Sequence, residues 1–319
     1  MLQAPAMPCG RIMKVELRIA IVMLLLTAVA WADPIRGTPI RVASIYLSPD
    51  STSAKLAEID RGREVVVLET SREWIHVEAS LTEEKTITGW MLSKGVVQNS
   101  TPNGDKILFG EAVDSEDQGS QRHGRRGAAQ DAMRLYYRAA EYFPNSPLAA
   151  EAMYRFADIR WQIEKGDVMS RPSSRENDVS IRDGMDEHFM RDVMKKFPAT
   201  KWADLAAFHL IDNKLCGEWQ ASSKCPEKEA ELYEKYVSEH PQSAAAAEAL
   251  YDAAWRRAAL IEIYKTENQA KKSEESRSKA IALAQRAVAQ TPPGDWGARA
   301  QRLLFMIDQG IATYGNATE

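Results

Sequence analysis

The stretch EYFPNSPLAAEAMYRFADI, residues 141–159, decides how the larger part of this 319-residue chain folds. It places Pro144 after an aromatic residue, Ser146 two positions later, and then small and aromatic residues at helical spacing. Proline does not continue a helix, whereas a hydroxyl side chain satisfies free amides at a helix start. The stretch therefore predicts that one helix ends near Pro144 and that the next begins just after Ser146.

The same pattern recurs at Pro198, Pro241 and Pro292. Small residues three positions apart share one helix face and let a neighbouring helix approach closely, while large residues fill the remaining space. The residues that follow the four prolines in equivalent positions are Ser146, Thr200, Ser243 and Gly294, then Ala149, Ala203, Ala246 and Gly297, then Ala152, Ala206, Ala249 and Ala300, and finally Tyr154, Phe208, Tyr251 and Arg302. The pattern describes packing between helices.

We predict four helical hairpins, over about residues 128–164, 181–215, 226–265 and 269–314. They resemble the tetratricopeptide family, especially its looser versions in bacterial envelope assembly proteins. The prolines lie 54, 43 and 51 residues apart, against a family period of about 34, so longer helices or loops such as residues 165–180 must absorb the difference. We expect an all-α, tetratricopeptide-like repeat domain over residues 128–314.

Stacked hairpins of this kind form an extended concave surface that holds a peptide or a partner helix. The resemblance implies that the first helix of each hairpin lines this surface. The alternative is that the aromatic side chains pack between helices and that the charged ones are solvated. The candidate partner-binding residues are Arg134, Tyr137, His188, Arg191, Tyr233 and Tyr236.

Residues 38–98 have a different texture, with alternating β-rich runs such as IRVASIYLSPD, EWIHVEAS and TITGWMLSKGVV. Each run is bounded by Pro, Gly, Asp or Ser, which is typical of short strands in a small barrel. We expect five strands. The fold class is therefore multidomain, with a small all-β barrel before the all-α repeats.

The β-rich residues resemble the bacterial Src-homology-3 (SH3-like) domain family over about sixty residues. The shared features are a turn with Pro49 and Ser53, the approach KLAEIDRG at 55–62, the strand EVVVLE, Trp74 with Val77, and the closing Thr88-Gly89-Trp90. The run IYLSPD departs from the Asn-x-Arg-Ser-Gly-Pro loop common in the family. Because this loop borders the ligand groove, the departure leaves the choice of ligand open.

The resemblance implies a binding module that holds cell-wall peptide or positions an attached partner domain. Tyr46, Trp74 and Trp90 are the candidate ligand-binding residues, because aromatic faces offer a large contact area. The alternative for Trp74 and Trp90 is packing in a small core, since the family uses these positions in that way.

The first 32 residues have the features of a secretory signal peptide. Three basic residues precede the apolar run IAIVMLLLTAVAW, and Ala32 completes a small-residue triplet, so we expect cleavage between Ala32 and Asp33. The run is shorter than the roughly 20 residues that cross a bilayer, so a retained membrane anchor is the weaker alternative. Met1 and Met13 are both candidate start residues. We expect an exported protein of the bacterial cell envelope, periplasmic or extracellular.

Removal of the signal, whose net charge is +2, changes the formal net charge from −4 to −6. An acidic chain has no broad attraction for nucleic acid. The basic cluster QRHGRRG at 121–127 follows an acidic run, and we interpret it as part of a flexible linker over residues 99–127.

Two cysteines, Cys216 and Cys225, lie beyond the signal in LCGEWQASSKCP. In an oxidising compartment a close pair predicts a disulfide, whereas zinc would need further Cys or His ligands nearby. We predict a bridge that closes a small loop and acts as a local staple. Two reduced, unrelated thiols are the alternative.

Catalytic and metal motifs are missing from the sequence. The five histidines, at positions 76, 123, 188, 209 and 240, are scattered, and DGMDEHFMRD at 183–192 is typical of a charged helix face. The chain contains no Gly-x-Ser-x-Gly elbow, Walker loop or dinucleotide fingerprint. We therefore expect no enzyme activity, no cofactor and no metal.

These observations favour an exported, non-enzymatic adaptor that binds a protein partner through its repeats and peptide or peptidoglycan through its barrel. One alternative is a targeting or regulatory subunit of a separate cell-wall hydrolase. Another is a hydrolase whose site has no recognisable motif. Nucleic acid is not an expected partner, and a membrane is expected only through an uncleaved signal.

Overall fold

The computed structural model describes residues 34–82, 84–290 and 294–314. The expected signal peptide over residues 1–32, its cleavage site at Ala32 and Asp33, and Pro292 lie outside the described residues. Within them, an antiparallel β-sheet is followed by a series of helical hairpins. This two-part architecture is the one that the sequence predicted.

Over the described residues, the sheet is a curled half-barrel of seven antiparallel strands in the order β3-β2-β6-β5-β4-β1-β7. Five strands were expected; the two additional ones are short and lie at one edge, where β1 pairs with β4 and β7. The strands are β1 Ile35–Pro39, β2 Ala43–Tyr46, β3 Lys55–Ile59, β4 Val65–Ser71, β5 Trp74–Ser80, β6 Thr86–Leu92 and β7 Val96–Gln98.

The core of the sheet lies on its inner face. It contains the buried side chains of Ile45, Ile75, Val77 and Met91, which come from three neighbouring strands. A side chain at position 89 could not fit, because a Cβ on Gly89 would lie 2.6 Å from Ile45 Cγ2. Glycine at this position therefore lets β2 and β6 approach each other.

Helix α1, Gly104–Ser120, occupies most of the interval that the sequence predicted to be a flexible linker. Its buried residues Leu108 and Ala112 belong to the same apolar cluster as the first hairpin. They are spaced four positions apart, which places them on one helix face. The expectation of a flexible linker is therefore wrong over this helix, because the segment has its own buried stripe.

In the described residues after α1, eight further helices form four successive hairpins, close to the ranges that the repeated prolines predicted. Two short 3₁₀ helices, Pro172–Arg175 and Asp212–Lys214, lie in the connections. The helices are α2 Ala128–Tyr142, α3 Ala149–Met169, α4 His188–Lys196, α5 Lys201–His209, α6 Lys224–Glu239, α7 Ala246–Thr266, α8 Ala270–Val288 and α9 Asp295–Asp308.

The residues that follow the prolines have the predicted packing role. Ala152, Ala206, Ala249 and Ala300 expose no surface. Thr200 caps α5, with its hydroxyl accepting a hydrogen bond from the Ala203 amide at 3.2 Å. The hydroxyls of Ser146 and Ser243 instead accept from the amides two residues later, at 3.1 and 3.2 Å. These two serines therefore stabilise the turn that leads into the helix, whereas Thr200 is a true helix cap.

The sheet contacts the first helices through a network of polar groups. Arg36 lies 3.3 Å from Glu141 of α2, and Tyr142 donates a hydrogen bond to Glu64 at 3.2 Å. At Gly62, where φ is +72°, a Cβ would lie 2.7 Å from that of Arg134. A left-handed glycine thus allows the turn between β3 and β4 to lie directly against α2.

Candidate functional site

The outer face of the sheet collects all three residues that the sequence predicted for ligand binding. Side chains alternate between the two faces of a strand. Because Ile75 and Val77 of β5 point inward, Trp74 and His76 lie on the outer face. Trp90 pairs in register with both His76 and Tyr46.

The aromatic rings on this face contact one another in two pairs. The Tyr46 and Trp74 rings meet edge to face, with centroids 5.7 Å apart, and the His76 and Trp90 rings stack at 4.8 Å. Trp74 is only 8 % exposed, whereas Tyr46 and Trp90 are half-buried. Neither tryptophan belongs to the inner core of the sheet. Trp74 therefore acts as a buried support, and Trp90 and Tyr46 present surface to solvent.

We call the surface formed by Tyr46, Trp74, His76, Trp90 and Leu92 the aromatic face. Leu92 lies opposite Trp74 and is exposed. Sequence reasoning missed His76, although its position two residues after Trp74 on the same strand would have placed both side chains on one face. The aromatic face is therefore a continuous apolar surface that includes a titratable ring.

Two exposed acids adjoin the aromatic face. Glu69 lies opposite His76 on β4, and Glu78 follows His76 by two residues on β5. Neither carboxylate has a hydrogen-bond or ion-pair partner within the part of the chain that the structure describes. The face thus combines aromatic rings with solvated negative charge.

In the helical region, Tyr137 is the predicted partner-binding residue with the best placed side chain. It lines a groove of about 450 Å³ between the first two hairpins, together with Met153, Phe197 and Lys196. Its ring packs on Phe156 at 4.9 Å between centroids. We call this concavity the hairpin groove; it has an apolar floor and charged side chains at its edge.

Two other predicted residues, His188 and Arg191, are exposed on α4 but do not line the hairpin groove. Arg191 forms an ion pair with Glu187, one turn earlier on the chain. Arg134 lies against the sheet, where its Nε donates to the carbonyl oxygen of Arg61 at 2.8 Å. The structure therefore does not bring the predicted partner-binding residues together on one surface.

Tyr233 and Tyr236 were predicted to bind a partner, and for both the prediction is wrong. Each is 4 % exposed. The guanidinium of Arg256 lies 4.5 Å from the Tyr233 ring centre, and Tyr236 donates a hydrogen bond to the carbonyl oxygen of Asp204 at 3.0 Å. Burial raises the pKa of Tyr236 to about 12. Both tyrosines pack between hairpins.

The predicted disulfide joins Cys216 and Cys225, with an S–S distance of 2.08 Å. The bridged loop contacts the buried side chain of Glu229, which is 2 % exposed. The Glu229 carboxylate accepts from the Cys216 amide at 2.8 Å and from Arg256 Nε at 2.7 Å. Sequence reasoning missed this pair, because its two members lie 27 residues apart on different helices.

The described residues contain no group of three His, Cys, Asp or Glu side chains placed to hold a metal ion. One partly buried acid–base group is formed around His209, whose Nε2 lies 3.3 Å from Asp158 and 2.9 Å from the Tyr154 hydroxyl. Burial raises the pKa of Asp158, and His209 opposes that rise. This group joins α3 to α5 across the first two hairpins.

No helix in the described part of the chain has the length and apolar character needed to cross a membrane.

Comparisons with known proteins give no family model that matches the chain, and no curated protein matches it. Solved structures with some similarity include the DHF119 filament, at 16 % identity over 65 % of this chain and 95 % of that chain, with a TM-score of 0.23. The de novo designed helical repeat protein DHR64 is 14 % identical over 65 % of this chain and 92 % of its own, with a TM-score of 0.18.

Proposed function

We propose that this protein is an exported, non-enzymatic adaptor whose SH3-like β domain binds peptide or cell wall through the aromatic face. The observation that carries the proposal is the set of aromatic rings on one face of the sheet, where Tyr46 packs on the buried Trp74 and the half-buried Trp90 stacks on His76. Aromatic side chains supply large apolar contact area and lose little conformational entropy on binding. Exposed apolar surface that is shared by several neighbouring side chains is typical of an interaction site.

The tetratricopeptide-like hairpins supply the second binding surface of the adaptor. The hairpin groove offers the Tyr137 and Phe197 rings and the Met153 side chain to a partner, with Lys196 at its edge. Apolar grooves between helices hold amphipathic helices by their apolar residues. We assign a protein partner to this groove and peptide or peptidoglycan to the aromatic face.

Two features support export to the bacterial cell envelope. The N-terminal residues have the charge and apolar pattern of a signal peptide. The bridge between Cys216 and Cys225 is of a kind that persists in oxidising compartments. The two features are independent of each other, and both favour a periplasmic or extracellular location.

Sedimentation with insoluble peptidoglycan tests the role of the aromatic face. We expect residues 33–319 to pellet with the wall material, and Trp90→Ala to reduce the bound fraction at least tenfold. Trp296→Ala is the matched control, since Trp296 is half-buried, stacks on Tyr251 and lies on the last helix of the repeat.

Equal losses in the two variants would contradict a site on the aromatic face. If the unaltered chain does not pellet, wall binding is wrong, and the aromatic face must then be tested against protein partners recovered by crosslinking in the envelope. Release of soluble wall fragments by the purified chain alone would contradict a non-enzymatic function.

A further inference from the structure

The outer face of β5 continues beyond the aromatic face and ends at a cleft between the sheet and α2. After Trp74 and His76, the next outward side chains on the strand are Glu78 and Ser80. Both line the cleft, whose volume is about 330 Å³. A strand rises about 3.3 Å per residue, so Trp74 and Ser80 lie about 20 Å apart. A single extended segment of about six or seven residues could therefore reach from one site to the other.

Three arginines line this concavity, which we call the arginine cleft: Arg63 from the turn before β4, and Arg134 and Arg138 from α2. They come from separate parts of the sequence, and only the docking of the sheet on α2 brings them together. Two glutamates, Glu64 and Glu78, complete the charged lining. The cleft is polar, in contrast to the aromatic face beside it.

The bonds that the three arginines already make leave part of each guanidinium unused. Arg134 donates to the Arg61 carbonyl through Nε and to Asp131 through Nη2. The contacts of Arg63 are long, at 3.3 Å to Asp60 and 3.4 Å to the Ser80 carbonyl. Within the described residues, Nη1 of Arg134 and Nη2 of Arg63 have no hydrogen-bond partner.

The arginine on the next turn of α2 leaves a donor in the same way. Arg138 engages Glu141 through Nη1, and its Nη2 has no hydrogen-bond partner in the part of the chain that the structure describes. A guanidinium group has five N–H donors in a fixed fork, which matches the two oxygens of a carboxylate. Three partly used guanidinium forks therefore surround one cleft.

The negative charge of Glu64 is largely neutralised by the groups around it. Its carboxylate lies 3.3 Å from Arg36 and accepts from the Tyr142 hydroxyl at 3.2 Å. Arg138 is 3.6 Å away. Glu78, at the other wall, is exposed on the sheet. The lining thus holds three arginines and two glutamates. Each arginine also has an acidic partner, in Asp60, Asp131 or Glu141, so what the cleft offers an anion is its unused guanidinium N–H donors.

We infer that the arginine cleft binds the carboxylate of an extended peptide whose remaining residues lie along β5 on the aromatic face. The continuity of the ligand rests on the function proposed for the aromatic face, whereas anion binding in the cleft does not. Arginine forks hold carboxylates through paired N–H donors, and partial burial strengthens such bonds.

Titration of the mature chain with succinate, followed by the side-chain Nε–H NMR signals of Arg63 and Arg134, tests the cleft directly. We expect saturable shifts of these two signals and at least fivefold weaker binding in Arg63→Gln. Arg63→Lys keeps the charge but loses the fork, so we expect its affinity for succinate to lie between those of the unaltered chain and Arg63→Gln. Arg72→Gln is the matched control, because Arg72 lies in the turn at the far end of β4 and should leave the affinity unchanged.

Several outcomes would overturn the assignment. Shifts that increase linearly without saturation would show that no carboxylate site exists. An equal loss of affinity in Arg63→Gln and Arg72→Gln would show general electrostatics. Saturable binding of inorganic phosphate, with none of succinate, would exclude a carboxylate as the ligand group.

The test separates the two proposals. If the chain binds succinate in the cleft but Trp90→Ala does not change its pelleting with peptidoglycan, the arginine cleft is supported as an anion site. The proposed role of the aromatic face is then wrong. If Trp90→Ala abolishes pelleting but the unaltered chain does not bind succinate, the role of the aromatic face is supported and the arginine cleft is not a carboxylate site.

Discussion

The aromatic face of the sheet and the tyrosine pair of α6 contain the same kinds of side chain in opposite settings. Tyr46 and Trp90 present their rings to solvent on a strand, whereas Tyr233 and Tyr236 are enclosed between helices. The difference arises from periodicity. Every second side chain of a strand leaves the core, but residues three apart on a helix share one face and enter the same interface.

The two regions also differ in what their polar atoms do. The Tyr236 hydroxyl bonds both the Asp204 carbonyl at 3.0 Å and the Ser243 hydroxyl at 2.6 Å. The Tyr46 hydroxyl has no partner within the described residues. A buried hydroxyl needs a partner because leaving it unpaired is costly, whereas a solvent-facing one bonds to water. Aromatic content alone is thus no indication of a site, and the bonding of the polar atom separates support from binding surface.

The largest expected effect is that of Glu229→Ala, which tests whether the helical interior depends on buried polar groups. Removal of the carboxylate leaves Arg256 buried without its closest counter-ion and frees the Cys216 amide. Breaking a buried ion pair in this way costs about 3–5 kcal/mol. We expect that loss in the free energy of unfolding measured with urea.

The matched control for this variant lies on the sheet. Glu69 is exposed and adjoins the aromatic face, so Glu69→Ala should change stability by less than about 0.5 kcal/mol. Similar losses of stability in the two variants would mean that the helical interior depends on buried polar groups no more than the outer face of the sheet does.

The sequence predicted the helical region well because its signals are local. Proline, a hydroxyl residue and spaced alanines specify where each helix ends and which face is buried, and Ala152 and Ala206 confirm this. Helix α1 was missed because the charged residues around Leu108 and Ala112 obscure a narrow buried stripe. The general class of each region could therefore be predicted. The predicted boundary that failed was the one between the sheet and the helices, where apolar residues are few.

The candidate site was predictable only in part. Alternation within a strand would have placed His76 beside Trp74, and the three predicted aromatic residues do share one face. The arginine cleft was not predictable, because Arg63 and Arg134 come together only when the turn at Gly62 lies against α2. Contacts between distant segments depend on how the two regions dock, and no local pattern reports that.

Tyr236→Phe has an intermediate expected effect on stability. It tests whether one hydroxyl oxygen matters more between the helices than on the aromatic face. The substitution removes the partner of the Asp204 carbonyl and of the Ser243 hydroxyl without opening a large cavity. Leaving buried groups unsatisfied costs about 1–3 kcal/mol. Tyr46→Phe makes the same chemical change on the aromatic face, and we expect it to alter stability by less than about 0.5 kcal/mol.

Thermal and urea unfolding of the two variants side by side gives the comparison. A loss in Tyr46→Phe as large as that in Tyr236→Phe would indicate that the Tyr46 hydroxyl is bonded inside the fold and not exposed for a ligand.

The smallest expected effect concerns the stretch that specifies the hairpins. The Ser146 hydroxyl lies 2.6 Å from the Asp105 carboxylate and ties the first turn of α1 to the loop before α3. This hydrogen bond lowers the pKa of Asp105, and burial opposes it. Ser146→Ala removes the bond, as well as the one from the Leu148 amide, so we expect a loss of about 1–2 kcal/mol at pH 7.

The pH dependence separates the two bonds of Ser146. The pKa of Asp105 is lower in the folded state than in the unfolded state. The contribution of this carboxylate to stability is therefore present above the unfolded-state pKa of about 3.9 and is lost as pH falls through the lower folded-state value. The stability difference between the unaltered chain and Ser146→Ala should therefore be constant from pH 7 to about pH 5 and shrink below about pH 4. In an Asp105→Asn background the same substitution should show no such decrease, since an asparagine side chain does not titrate. A difference that stays constant down to pH 3 would mean that Ser146 stabilises the turn alone and does not join α1 to the first hairpin.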